Sequence, residues 1–127
     1  MREMAYFNLG LAYLSLSRND EAIGAFNQSL QLNSQDPETH HFLGEAYLVK
    51  KRYDEAITAF QQSLKLKPDL VGPRIGLGEA YEAKGLYDQA IAAYEEALKL
   101  DPADEEAQQK LKELKANRAR RTERTTR

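Results

Sequence analysis

The chain has 127 residues, 42% of them hydrophobic and 30% charged, which is too apolar for a wholly disordered polypeptide. No apolar run approaches the ~20 residues of a membrane-spanning helix, and residues 1–15 hold Arg2, Glu3 and Asn8 with no small-residue cleavage site, so no secretory signal is expected. Eighteen basic against twenty acidic residues (net charge −2) argue against wholesale coating of nucleic acid, and the lack of cysteine excludes disulfides, thiolate metal sites and a cysteine nucleophile.

The first predicted helix covers 3–16 and the second 19–33, separated by the polar break Ser17-Arg18-Asn19. The third, 37–50, is announced by Asp36-Pro37-Glu38, an N-cap followed by proline at the first helical position. Its Phe42, Leu43, Ala46 and Tyr47 share one face. After Lys50-Lys51-Arg52 comes the fourth helix, 53–67, with Asp54 and Glu55 in the first turn, where the helix dipole favours anions. Ala56, Ile57, Phe60 and Leu64 form its apolar face, and Pro68 follows its end because proline cannot continue a helix cheaply. Helices over 71–84 and 87–100, split by Lys84-Gly85-Leu86, repeat the pattern up to Pro102.

Shifting the sequence by 34 residues superposes three copies, 3–36, 37–70 and 71–104. Ten columns are identical in all three, including Leu9/Leu43/Leu77, Gly10/Gly44/Gly78, Ala12/Ala46/Ala80, Tyr13/Tyr47/Tyr81, Asp20/Asp54/Asp88 and Ala22/Ala56/Ala90. Each copy is a helix–turn–helix pair. A mid-helix glycine costs ~1 kcal/mol relative to alanine, so three at one phase predict close helix approach, with Gly44 facing Ala56 and Phe60.

Beyond the copies, Ala107, Leu111 and Leu114 fall on one face of 105–118, the pattern of a capping helix over the last pair. Residues 119–127 complete a basic stretch expected to be disordered, in which Arg118, Arg120, Arg121, Arg124 and Arg127 outweigh Glu123. No comparable cap precedes the first helix, whose outer face is left to solvent, a partner or upstream sequence.

The columns Leu-Gly-x2-Tyr and Ala-x3-Phe/Tyr, the 34-residue period, and Pro68 and Pro102 resemble the tetratricopeptide repeat. The aromatic that opens that motif has drifted to His40 and Arg74 in the later copies, with Tyr6 in the first, and Ser34 stands at the first copy's proline position. The resemblance spans 3–104 and implies an all-α, right-handed α-solenoid of three repeats with the first helix of each pair lining a concave face. It further implies a non-catalytic scaffold binding a peptide or helical segment of another protein.

The groove positions implied are Met4, Phe7, Asn8, Leu11 and Leu14 in the first copy. In the second they are Glu38, His41, Phe42, Glu45 and Leu48, and in the third Ile75, Gly76, Glu79 and Glu82. An apolar stretch thus runs into an acidic one, suited to a partner with apolar anchors and Lys or Arg. Chaperone-tail receptors of this family hold a carboxylate with Lys, Asn and Arg. The matching positions, Phe7, Leu11, Phe42, Gly72 and Gly76, carry no donor side chain, so an acidic C-terminal tail is not the expected ligand.

Two further readings stand beside the groove. Self-association through Met4, Phe7, Leu11 and Leu14 would cover the first helix as a homo-oligomer. The arginine-rich end could instead contact an acidic partner or nucleic acid, though no aromatic is interleaved to stack on bases. No catalytic residue, metal site, cofactor, small-molecule substrate or membrane contact is implied. His40 and His41 are the only histidines, and helix neighbours point ~100° apart, so they cannot share a metal. His41 at the groove rim predicts pH-sensitive binding near the ordinary histidine pKa of ~6.5. The absence of cysteine and of a leader fits a cytoplasmic location.

Overall fold

The computed structural model describes the backbone of residues 2–126 and the side chains of 2–123, so the side chain of Arg124 and all of Arg127 lie outside the described residues. The described residues form seven helices: α1 (Arg2–Ser15), α2 (Asn19–Leu32), α3 (Pro37–Val49), α4 (Tyr53–Leu66), α5 (Val71–Ala83), α6 (Tyr87–Leu100) and α7 (Glu105–Thr126). The first six match the sequence-predicted spans to within one residue at each end.

Each odd helix reverses into its partner through one turn geometry. Ser17, Lys51 and Gly85, in a single repeat column, take positive φ of 60°, 62° and 79°. In each turn the next residue's N–H donates back to the column tyrosine, Arg18 to Tyr13, Arg52 to Tyr47 and Leu86 to Tyr81, all at 2.9 Å. These are Schellman closures that satisfy carbonyls left open at a helix end. Only the third copy uses glycine there; Ser17 and Lys51 adopt the left-handed conformation against their own preference. Asp36 caps α3 as expected, its Oδ1 accepting from Glu38 N at 3.2 Å.

Within each pair the glycine column lies against an aromatic ring. A Cβ on Gly44 would sit 2.7 Å from Phe60, and one on Gly10 or Gly78 would strike Phe26 or Tyr94 comparably. All three rings are fully buried, and burying such a side chain stabilises by about 1.5–3 kcal/mol. Phe60 also lies against Gly76 of α5, so one ring ties together three helices. Ser29 and Ser63 hydroxyls donate to the Glu3 and Pro37 carbonyls in the first turn of the partner helix, both at 2.7 Å. Ala97 holds that column in the third copy.

Pairs are joined to one another by two recurring polar fittings. The drifted aromatic column supplies the first: His40 Nε2, Arg74 Nη2 and Gln108 Nε2 donate to the Ser34, Pro68 and Pro102 carbonyls of the preceding turn at 3.0, 2.9 and 2.6 Å. The second is an ion pair repeated at each junction, Lys50–Asp20, Lys84–Asp54 and Arg118–Asp88. Exposed pairs of this kind contribute roughly 0–1 kcal/mol each, so the buried columns supply most of the stacking energy.

Helix α7 departs from expectation in length. It does not stop at 118: its 22 residues run to Thr126, so residues 119–126, expected as a disordered tail, continue the helix. Its first half docks on α6 through buried Ala107 and Leu114, with Leu111 half-buried beside them. The Asp104 carboxylate caps it, accepting from Ala107 N at 3.0 Å. These positions continue the 34-residue register: Ala107, Leu111 and Leu114 stand where Thr39, Leu43 and Ala46 do in α3. The cap thus stands in the register of the first helix of a pair.

Candidate functional site

The odd helices form an inner row, since α1 contacts α3 and α3 contacts α5 directly. At the N-terminal end of that row Phe7 meets Phe42 edge-on with centroids 5.9 Å apart, and both rings approach Phe26, at 6.1 and 6.4 Å. Phe7, Leu11, Leu14 and Phe42 are therefore half-buried, one side of each belonging to the core of the first two pairs. Leu48 is similarly packed against the Ala56–Phe60–Leu77 group, whereas Asn8 and Met4 are exposed.

Two of the sequence-predicted positions present no usable groove surface. Ile75 is buried among Ala90, Ile91 and Tyr94, and Gly76 lies under the Phe60 ring. Both face α6 or α4 rather than the inner side, because a small residue at 76 lets α5 settle onto α4.

His41 lies edge-on to Phe42 at 5.0 Å and tilted to Phe60 at 5.8 Å, over the backbone of Gly72. Burial lowers its pKa to about 4, so the ring is neutral at neutral pH, and the switch near 6.5 expected from the sequence does not arise there. Its Nε2 is 3.4 Å from Glu45 Oε1, while Nδ1 is buried without a hydrogen-bond partner.

Toward the C-terminal end the inner face turns acidic. Glu45 on α3 has a raised pKa, first from burial and then from the charges of Glu79 and Glu106. Glu79 on α5 is also raised by burial, with Lys110 pulling it down and Glu106 and Glu82 pushing it up. Glu82 accepts a hydrogen bond from the Tyr94 hydroxyl at 3.1 Å, and burial together with that carboxylate raises the Tyr94 pKa and keeps it protonated. Beyond this cluster a cavity of about 560 Å³ opens between α5 and α7, where Glu79 and Glu82 face Lys110, Arg120 and Arg121.

The α7 contributors were missed in the sequence, although the signal was present. Carried one step further, the 34-residue register sets Glu106 and Lys110 in the columns of Glu38 and Phe42. The basic end is likewise not a free tail. Arg118 pairs with Asp88 at 3.0 Å. The Arg121 guanidinium lies 4.2 Å over the Tyr87 ring and donates to its hydroxyl at 2.7 Å.

Two tetratricopeptide-repeat family models match the chain, over residues 7–71 and 49–115. No curated protein matches it in sequence. Among solved structures, the first TPR of Spaghetti (RPAP3) bound to the HSP90 peptide SRMEEVD superposes with a TM-score of 0.89 at 21% identity, over 92% of this chain and 93% of that one. The second TPR domain of human RPAP3, in complex with the HSP70 peptide SGPTIEEVD, gives 0.87 at 20% identity, over 91% and 96%. The Sgt2 TPR domain from Aspergillus fumigatus gives 0.90 at 17%, over 96% and 82%. These structures share the helix-pair stack with this chain. With the period, the glycine and tyrosine columns and the stacked pairs in place, the chain belongs to the tetratricopeptide-repeat family.

Proposed function

We propose that the protein is an interaction scaffold whose inner face takes an extended or helical segment of another protein, apolar at one end and basic at the other. The observation that carries this is the carboxylate cluster Glu45–Glu79–Glu106, each of whose first two members has a raised pKa. Partly desolvated like charges are held together at a cost. A lysine or arginine brought in by a ligand relieves that repulsion and gains charge-assisted hydrogen bonds. Next to the cluster, Phe7, Phe42 and Leu48 offer apolar surface for an anchoring side chain.

The two RPAP3 domains are seen with peptides ending in EEVD. That chemistry does not suit this groove, where Phe7, Leu11, Phe42, Gly72 and Gly76 replace the basic and amide clamp and Glu45 and Glu79 are the carboxylates beside them. Titration calorimetry with an amphipathic Leu/Lys peptide is expected to give micromolar binding, about −8 kcal/mol. The same peptide with Glu for Lys, and SRMEEVD itself, should bind at least about tenfold more weakly, a difference of ~1.4 kcal/mol. Glu45→Gln with Glu79→Gln should erase the preference. Equal or tighter binding of the acidic peptides would defeat the proposal.

A further inference from the structure

The outer face of α1 differs from its counterparts in a way that points to an occupant. Leu9 is 42% exposed, whereas Leu43 and Leu77 in the same column are 6% and 8% exposed. Ala5 and Ala12 are exposed as well, while Thr39, Ala46, Pro73 and Ala80 are buried. In α3 and α5 that face is covered by the second helix of the preceding pair; among the described residues nothing covers it in α1.

The polar fittings that accept a preceding pair are also missing. Where α3, α5 and α7 carry His40, Arg74 and Gln108 as donors to the previous turn, α1 has Tyr6. Where they carry Lys50, Lys84 and Arg118 as partners of the previous aspartate, α1 has Leu16, 67% exposed. An upstream pair built on the same pattern would bring an aspartate against that leucine. The face is suited to something else.

Its own pattern names the occupant. Ala5, Leu9, Ala12 and Leu16 are spaced 4, 3 and 4 apart, the a/d spacing of a coiled-coil seam. Leu16 N–H still donates to the Ala12 carbonyl at 3.1 Å, so the stripe continues past the last helical residue. From Met4 through Ser17 there is no charged residue. A two-fold contact is built from the same patch on both copies, and this stretch has no charge to repel its own copy.

We propose that this face pairs with the same face of a second copy, the two α1 helices running antiparallel about a two-fold axis midway between Leu9 and Ala12. Leu9 then lies opposite the partner's Ala12, and Leu16 opposite the partner's Ala5, a large side chain on a small one in every layer. A parallel pairing sets leucine on leucine and alanine on alanine, leaving voids in the alanine layers. Phe7, Leu11 and Leu14, committed to the first core and the inner face, take no part. The groove stays open. A single helix pair falls short of the ~800 Å² per partner of a standard interface, so dissociation is expected on the order of 10–100 µM.

Sedimentation equilibrium from about 5 to about 500 µM spans that range. The wild-type chain should pass from monomer to dimer, and Leu16→Lys and Leu9→Glu should each weaken dimerisation at least about tenfold. Leu16→Lys places at this position the residue that α3 and α5 already carry, and unchanged circular dichroism and melting would confirm that both variants fold. Because the chain has no cysteine, Ala5→Cys and Leu16→Cys chains report orientation. Mixed, they should form a disulfide with each other faster than either does with itself. A monomer throughout, a dimer indifferent to both charge substitutions, or Ala5→Cys joining preferentially to Ala5→Cys would each overturn the proposal.

Discussion

At the residue scale, glycine separates two physical effects that helix propensity alone would merge. Gly44 and Gly24 both sit inside helices, yet a Cβ at 44 would stand 2.7 Å from the buried Phe60 ring while one at 24 meets nothing within 4 Å. Gly44→Ala should therefore destabilise by about 1–3 kcal/mol through overpacking, despite gaining up to ~1 kcal/mol of helix propensity. Gly24→Ala should stabilise by about 0.5–1 kcal/mol. Urea melts of the two variants decide it; the same sign in both would remove the packing account of the glycine column. That column was legible in the sequence because it recurs at one phase. The conflicted Ser17 and Lys51 were not, since neither residue signals a left-handed backbone.

At the element scale, the first six helices were readable because their caps, breaks and apolar faces are local and thrice repeated. Helix α7 was only half readable. Its docked face, Ala107, Leu111 and Leu114, follows the repeat pattern, but the segment after Leu114 has no apolar periodicity to announce a helix. It is held by Arg118 on Asp88 and Arg121 on Tyr87, which are contacts to α6 rather than properties of the segment. Replacing Arg118 and Arg121 with alanine should leave global stability nearly unchanged, since exposed pairs contribute roughly 0–1 kcal/mol. It should accelerate amide exchange through 118–126 while exchange in 107–114 stays slow. Equal protection in variant and wild type would show that those contacts do not hold the segment.

At the scale of the whole molecule, pH acts through residues on the inner face. His41 is brought from an ordinary 6.5 to about 4 by burial. As pH falls between those values, the unfolded chain takes up a proton that the folded chain refuses, so stability falls, by on the order of 2 kcal/mol across the window. Glu45 and Glu79 act with the opposite sign: their raised pKa values let the folded chain bind protons first, which favours folding as pH drops into the carboxylate range. His41→Leu keeps both carboxylates, so comparing it with wild type isolates the histidine contribution. Between pH 7 and pH 5.5 or so, wild type should lose stability while His41→Leu loses little; parallel slopes in thermal melts would refute the assignment to His41.

The helix pairs, their number and the glycine–aromatic contacts follow from the amino-acid sequence itself, because each is encoded over a few residues and then written three times. Periodicity places a residue on a helix face; it does not say what lies across from that face. Leu9 and Leu43 occupy one column with one identity, yet among the described residues only Leu43 is covered by a preceding pair. Ile75 and His41 stand at inner-row positions, yet one is core and the other is kept neutral by its neighbours. Those outcomes, with the burial that raises the pKa values of Glu45 and Glu79, came from tertiary structure alone, since burial and charge proximity belong to pairs of surfaces and not to either helix by itself.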